Sequence, residues 1–509
     1  MTERLRLAEL MAALSLATDL GMGQPMEQAL RTCLIAIALG ERLGLSSEDL
    51  SDVYYLALLR FLGCTADAYE FAAMVGGDDI GIRAAIAPVL GGAQSEFASR
   101  VMPRVGAGHG PLRRARLVAG MVAGGAQQGR EGVRAGCELA ENLASRIGLQ
   151  PGVRHGLASA FETWNGTGFP DGVAGETIPL SSRIVFVARD AEVLLRLGGA
   201  DRVRAALAAR SGAAYDPAVA STFLAYAEEL LNEAGVESPW EAVLAREPEP
   251  HPWVPEVRLD ATLEAFADFA DLKSPFTAGH SRGVAALAAA TSPVEAETMR
   301  RAALLHDLGR LSVPNGIWDK PARLTDGEWE RVRLHPYYSE RILSRVTRLE
   351  PLAVLAGTHH ERVDGSGYFR GSKRPEIPPA ARILAAADAY QAMTQPRPHR
   401  PALSRDSAAG ALLAEAHAGR LDANSVDAVL TAAGHLVRTA HESWPAGLSS
   451  REVQVLRLIC RGGTKKQAAD LLDISPSTVD HHVRHIYDKI GVSTRAGATL
   501  FAIEKDLLE

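Results

Sequence analysis

The chain has 509 residues, 47% hydrophobic and 23% charged, the balance of a globular protein with three or four cores rather than one. Its formal net charge of −7 supplies no general attraction to nucleic acid, so any DNA contact must come from local charge. Cys33, Cys64, Cys137 and Cys460 are scattered without paired spacing, which argues for a reducing cytoplasm and against a disulfide framework or a thiolate zinc site. The opening MTERLRLAEL lacks the apolar core of a signal peptide, and no run of about 18 apolar residues offers a membrane span.

Ala- and Leu-rich stretches with few β-branched runs predict an all-α chain. Three proline-rich or irregular stretches interrupt it: EPEPHPWVPEV (Glu247–Val257), QPRPHRPALS (Gln395–Ser404) and ESWPAGLSSRE (Glu442–Glu452). They set the expected domains at 1–246, a linker at 247–256, 257–440 and 445–509.

The first two blocks read as a repeat. LLRFLGC (Leu58–Cys64) parallels LLHDLGR (Leu304–Arg310), ETWNGTGFPDG (Glu162–Gly172) parallels ERVDGSGYFRG (Glu361–Gly371), and RIVFVARDA (Arg183–Ala191) parallels RILAAADAY (Arg382–Tyr390). Three matches in one order predict two bundles of common ancestry, each of five to seven helices.

The second block concentrates histidine beside acid: His280, the pair His306-Asp307, His335, the pair His359-His360, and Asp388. Imidazoles with a few carboxylates and no thiolate suit iron, manganese or zinc. Two cations about 3.5–4 Å apart can clamp a phosphodiester for in-line attack. The apolar AALL before His306 adds weight, because burying two polar groups there demands a partner.

With HDLGR and HHERVDGSGYF in view, residues His280 to Arg400 resemble the HD-GYP domain, a helical phosphohydrolase family that degrades cyclic di-GMP. The resemblance implies that His280, His306, Asp307, His335, His359, His360 and Asp388 ligate two divalent metal ions, iron or manganese foremost and zinc as an alternative. Asp307 would bridge them as a catalytic residue, Arg310 would act beside it, and Arg397 and Arg400 would contact substrate phosphates, a task suited to the guanidinium fork. Three positions depart from the family pattern. Arg310 stands where lysine is usual, Phe369 replaces the proline of Gly-Tyr-Pro, and Phe276 lies where some members place a glutamate for a third metal. In the first block, Arg60 and Phe61 fall opposite His306 and Asp307, Ala160 and Phe161 opposite His359 and His360, and Arg189 opposite Asp388. That block is therefore expected to be a degenerate HD-GYP-like bundle without metal.

From Gly447 onward the spacing predicts four short helices. Val453, Leu456, Leu458 and Ile459 mark the first, started by a Ser449/Glu452 capping box and ended at Gly462-Gly463. Gln467–Leu472 is the second, and Ser475 or Ser477 caps a third whose apolar face is Val479, Val483, Ile486 and Ile490. This is helix-turn-helix form. The stretch LSSREVQVLRLICRGGTKKQAADLLDISPSTVDHHVRHIYDKIGVSTRA resembles the LuxR/NarL-type DNA-binding domain, which implies double-stranded DNA as a partner and a homodimer. By position, Lys465, Lys466, Thr478, His481, His482, Arg484 and Lys489 are the DNA-contact candidates. The whole then reads as a cytoplasmic regulator joining cyclic di-GMP hydrolysis to DNA binding. Two alternatives remain: a retired hydrolase that senses nucleotide, and a phosphohydrolase for another nucleotide.

Overall fold

The computed structural model describes residues 5–89, 94–435, 444–505 and 507–508; the break expected from Glu442 lies partly outside them. The described residues form α-helices and short 3-10 helices with only isolated β-bridges, and the chain divides into two compact units, Met1–Leu259 and Asp260–Glu509. No helix among the described residues is long and apolar enough to cross a membrane.

The core of the first unit is built from Leu7–Gly21, Gln28–Arg42, Ser47–Leu59 and the first half of Leu180–Arg210. Leu7–Gly21 is apolar around nearly its whole circumference and is buried accordingly, with Leu10, Met11 and Leu14 sealed from solvent. The unit carries more helices than the five to seven expected, because short segments such as Ala68–Val75, Asp79–Ile86 and Pro239–Ala245 wind separately around this core. The proline-rich stretch at 247–256 is strapped along the first helix. Leu7 donates its amide to Pro252 (2.9 Å), Val254 donates to Leu5 (2.9 Å), and the buried Glu247 carboxylate accepts from Arg6 Nε at 2.8 Å and from the Tyr55 hydroxyl. Paired burial of that carboxylate holds the segment in place, where composition alone suggests a free spacer.

In the second unit, His280–Thr291, Ala296–Leu305, Glu350–Thr358, Pro379–Thr394 and Ala423–His435 pack into a bundle. The repeat extends to individual hydrogen bonds. Glu162 Oε1 accepts the amides of Asp171 and Gly172, while Glu361 accepts those of Arg370 and Ser372. Arg183 Nε donates to the Ile178 carbonyl and Arg382 Nε to the Ile377 carbonyl, both at 2.9 Å.

The C-terminal helices are Ser450–Cys460, Lys465–Leu472, Pro476–Ile490 and Arg495–Glu504. Ser449 and Glu452 form the expected capping box, and Ser475 caps the third helix. The second helix begins two residues earlier than expected, because Thr464 and Gln467 form a second capping box. Val453, Leu456, Ala468, Val479, Val483 and Ile486 close a small core of their own.

Candidate metal centre and nucleic-acid interface

The bundle of the second unit brings all seven expected ligands together. Ala296–Leu305 ends at His306, and the chain tightens into the 3-10 turn Leu308–Ser312. Gly309 permits this: a Cβ there would sit 2.0 Å from the His335 carbonyl, so only glycine lets the turn press against the start of the helix His335–Leu343. Ser339 ties the two segments, donating to the His306 carbonyl at 2.6 Å and accepting the Gly309 amide at 2.8 Å. Asp388 comes from the middle of Pro379–Thr394, and His280 opens the helix His280–Thr291.

The Asp307 carboxylate sits at the centre. Its Oδ1 lies 3.4 Å from His335 Nε2 and 3.7 Å from His359 Nε2; its Oδ2 lies 3.2 Å from His306 Nε2 and 3.8 Å from His280 Nε2. His335, His359 and His360 bring ligand atoms within 4.8 Å of one another, and so do His280, His306 and Asp388. One carboxylate thus faces two clusters, one on each oxygen.

The rings are already oriented. His306, His335 and His359 point Nδ1 at the carbonyls of Ala303 (2.6 Å), Val332 (2.6 Å) and Ala356 (2.5 Å); a carbonyl only accepts, so each Nδ1 carries a proton and each Nε2 is the atom turned to the centre. Burial would lower His306, but the Asp307 carboxylate outweighs it and raises it to about 9, so ligation there releases a proton. Those three Nε2 atoms and both Asp307 oxygens are buried without a hydrogen bond. Orphaned buried donors of this kind fit divalent cations, whose binding satisfies them. Burial, reinforced by His306, drags His359 down to about 3, so it stays neutral and able to ligate. Burial would raise Asp307, but Arg310 and His306 outweigh it and hold the carboxyl well below its ordinary range.

Around this centre stand residues that the sequence motifs did not mark. Gln395 Oε1 lies 2.9 Å from His280 Nδ1. The Trp318 indole donates to the Arg310 carbonyl at 3.2 Å and lies edge-on to the His335 ring at 5.5 Å. The Tyr368 ring packs at 4.8 Å from His360. Asp271, fully buried, accepts the Ser281 amide and hydroxyl, each at 2.8 Å, and so anchors the turn leading into His280. Tyr368 does lie in the HHERVDGSGYF motif and Gln395 opens the QPRPHR stretch, but neither was singled out, and nothing in chain or motif signals Trp318 or Asp271.

The three arginines differ. Arg310 Nη2 is 2.7 Å from Asp307 Oδ2, while its Nε and Nη1 are buried and unpartnered. Arg397 donates to the Phe276 carbonyl, and burial followed by repulsion from Arg310 pulls it down to about 10. Arg400 spends its terminal nitrogens on the carbonyls of Ala392, Met393, Gln395 and Pro401. It closes a helix C-terminus with these bonds.

On the C-terminal helices Lys466, Thr478, His481 and Arg484 are exposed and His482 is half-buried. Lys465 and Arg484 both pair with Asp480. Lys489 is exposed but tethered: its Nζ lies 2.7 Å from Oε2 of the buried Glu452 and 3.1 Å from the Gly447 carbonyl. It braces the first helix rather than projecting from the third.

Fold and site together define a helical, metal-dependent phosphohydrolase joined to a helix-turn-helix domain. Comparison with known proteins agrees. Residues 128–219 and 264–425 match the HD domain family, and residues 446–502 match the luxR family of bacterial regulatory proteins. The 3'3'-cGAMP-specific phosphodiesterase 3 of Vibrio cholerae is 33% identical over 411 residues, which cover 79% of this chain and 89% of that protein. The cyclic di-GMP phosphodiesterase response regulator RpfG of Xanthomonas campestris pv. campestris is 37% identical over 154 residues, 30% of this chain and 40% of its own length. A crystal structure of a cyclic GMP-AMP-specific phosphodiesterase from Vibrio cholerae superposes with TM-score 0.60 at 28% identity, covering 85% of this chain and 99% of that one. The chain belongs to the HD-GYP phosphodiesterase family and carries a C-terminal luxR-type domain.

Proposed function

We propose that residues 257–440 hydrolyse a phosphodiester bond of a cyclic dinucleotide at a two-cation centre, and that residues 445–509 read double-stranded DNA under the influence of that centre. The observation that carries this reading is Asp307, whose two oxygens face separate clusters of ligand atoms and suit a bridging role. Iron or manganese at both clusters would activate water and neutralise phosphate charge as Lewis acids. The chain's own part is to aim the imidazoles through their backbone hydrogen bonds, and to offer Arg310 Nε and Nη1 to the charge that develops on the phosphate. Arginine stays protonated, so Arg310 stabilises charge and gives no proton to the leaving group. Arg397 borders the same carboxylates and supports the phosphate side; Arg400 we assign to capping.

Cyclic di-GMP and 3'3'-cGAMP are the candidate substrates, the second favoured by the relative that matches the greater length. Relay to DNA binding has a physical route within the second unit. The turn Pro275–Gly279 supplies the Phe276 carbonyl to Arg397 and leads into His280. The same turn meets the C-terminal helices: a Cβ on Gly462 would lie 2.9 Å from Pro275, and one on Gly279 would lie 4.0 Å from Ile503. A cytoplasmic homodimer is the working assembly.

The test is turnover of both dinucleotides by chain loaded anaerobically with iron or manganese, beside the His306→Ala/Asp307→Ala variant. Hydrolysis lost in the variant supports the enzyme. Metal and nucleotide bound without hydrolysis supports a sensor, a reading that the Arg310–Asp307 ion pair favours. Hydrolysis confined to other nucleotides shifts the substrate class.

A further inference from the structure

The first unit keeps the frame of the metal centre and replaces its ligands with guanidinium groups. Arg60, like His306, is the residue on which a buried helix ends, Ser47–Leu59 in one unit and Ala296–Leu305 in the other. Arg189 stands in register with Asp388 on the helix that follows the matching glycine-rich turn. Both arginines are buried, and their guanidinium carbons lie 5.9 and 5.8 Å from the Phe61 ring centre.

Charge does not balance there. Arg189 Nη1 pairs with Asp190 Oδ1 at 2.7 Å and donates to the Ala87 carbonyl at 2.5 Å. The other oxygen of Asp190 accepts the Tyr215 hydroxyl at 2.7 Å, so this carboxylate is fully engaged. Arg60 is 3% exposed, and its Nε, Nη1 and Nη2 are all buried with no hydrogen-bond partner, as is Arg189 Nε. Four buried N–H-bearing nitrogens, three on Arg60 and one on Arg189, therefore lack a hydrogen-bond partner on two guanidinium groups beside the same Phe61 ring. The faces of Phe161 and Phe186, 5.1 and 4.7 Å from the Arg60 guanidinium, recover only part of the hydration it has lost. Burial, then repulsion from Arg189, lowers Arg60 to about 9, which still leaves it charged at neutral pH.

A buried, protonated fork with unfilled donors is the complement of an oxyanion. We propose that Arg60 and Arg189 form an anion site in the first unit that accepts a phosphoryl group. Free inorganic phosphate and the phosphodiester of a cyclic dinucleotide share that chemistry. The site is thus the inverse of the second unit's centre, built to hold an anion where its counterpart holds cations.

Calorimetric titration of the full chain at constant ionic strength, with inorganic phosphate and separately with cyclic di-GMP, tests this. The wild-type chain is compared with Arg60→Met and Arg60→Lys, each checked for folding by far-UV circular dichroism. One binding event should weaken at least tenfold in Arg60→Met, with Arg60→Lys between, since lysine keeps the charge and loses the fork. Loss of the phosphate event identifies free phosphate as the occupant; loss of a dinucleotide event alone identifies the phosphodiester. Identical titrations in wild type and Arg60→Lys, with Arg60→Met also unchanged or misfolded, overturn the site. So does a wild-type chain that binds neither anion.

Discussion

The guanidinium of Arg310 lies 4.7 Å over the indole ring of Trp318, and that indole in turn donates to the Arg310 carbonyl. Stacking and hydrogen bond hold the arginine with one nitrogen on Asp307 and two unpartnered. Removing the guanidinium by Arg310→Met should lower kcat by about 10²–10³, the usual loss for one charge-stabilising donor, with metal content unchanged. Trp318→Leu frees the side chain without deleting it, so kcat should fall less while KM for the dinucleotide rises. Steady-state kinetics beside metal analysis checks both. Equal loss of bound metal in either variant would place these residues in metal retention.

Gln395 supplies the carbonyl that receives His280 Nδ1, fixing the ring whose Nε2 lies 3.0 Å from Asp388. Outer partners of this kind typically contribute about 10–100-fold to metal affinity. Gln395→Ala should therefore weaken metal binding by that order, and Gln395→Glu should retain it, because a carboxylate accepts the same proton. Competition with a metal-sensitive chelator dye measures the difference. An unchanged affinity in the alanine variant removes Gln395 from the metal centre's support.

The cluster of candidate ligands was legible in the sequence because metal chemistry selects rare residue types in adjacent pairs, as in His306-Asp307 and His359-His360. The frame of the repeat was legible because turn glycines and the arginines Arg183 and Arg382 recur in register. What orients the ligands was not. Gln395 reaches His280 across 115 positions, and Trp318 meets Arg310 only because the 3-10 turn folds back. Arg400 illustrates the converse: its place in PRPHR suggests phosphate, while three carbonyls at the end of the helix Pro379–Thr394, those of Ala392, Met393 and Gln395, accept from it. Lys489 is similar, since Glu452 lies 37 residues away and no local pattern links them. The contact of the Pro275 turn with Gly462 likewise emerged only from packing.

Lys489 and Lys466 should separate stability from DNA affinity. Burial raises Glu452, yet the hydrogen bonds from Lys489 and Ser449 prevail and hold it down to about 2. A carboxyl depressed in the folded state contributes stability above its ordinary pKa of about 4.5 and loses it as pH falls from there toward 2. Lys489→Met should cost about 1–2 kcal/mol at neutral pH and flatten that acid limb, as read by thermal melts of the C-terminal domain. Lys466→Ala should leave stability alone and reduce the slope of log affinity against log salt by about 0.9. If instead Lys489→Met changes the salt slope with no change in melting, its bond to Glu452 is not its role.

Pro275 offers the test of the relay. Its Cγ is the atom nearest to a Cβ built on Gly462, and Gly462 itself has φ +89, where any other residue is strained. Changing the glycine would therefore confound contact with backbone strain, so the proline is the cleaner site. Pro275→Ala removes the ring atoms that meet Gly462 and leaves every metal ligand in place. Hydrolysis should stay within about threefold of wild type, and DNA affinity without nucleotide should stay similar, because the substitution keeps the Phe276 carbonyl that Arg397 uses and removes no side chain of either site. The nucleotide-induced change in DNA affinity should shrink toward one, since coupling needs an element that both sites bias. Electrophoretic mobility shifts with a fixed duplex, with and without cyclic dinucleotide, give the ratio directly. A Pro275→Ala chain with the full wild-type ratio would move the relay away from this turn.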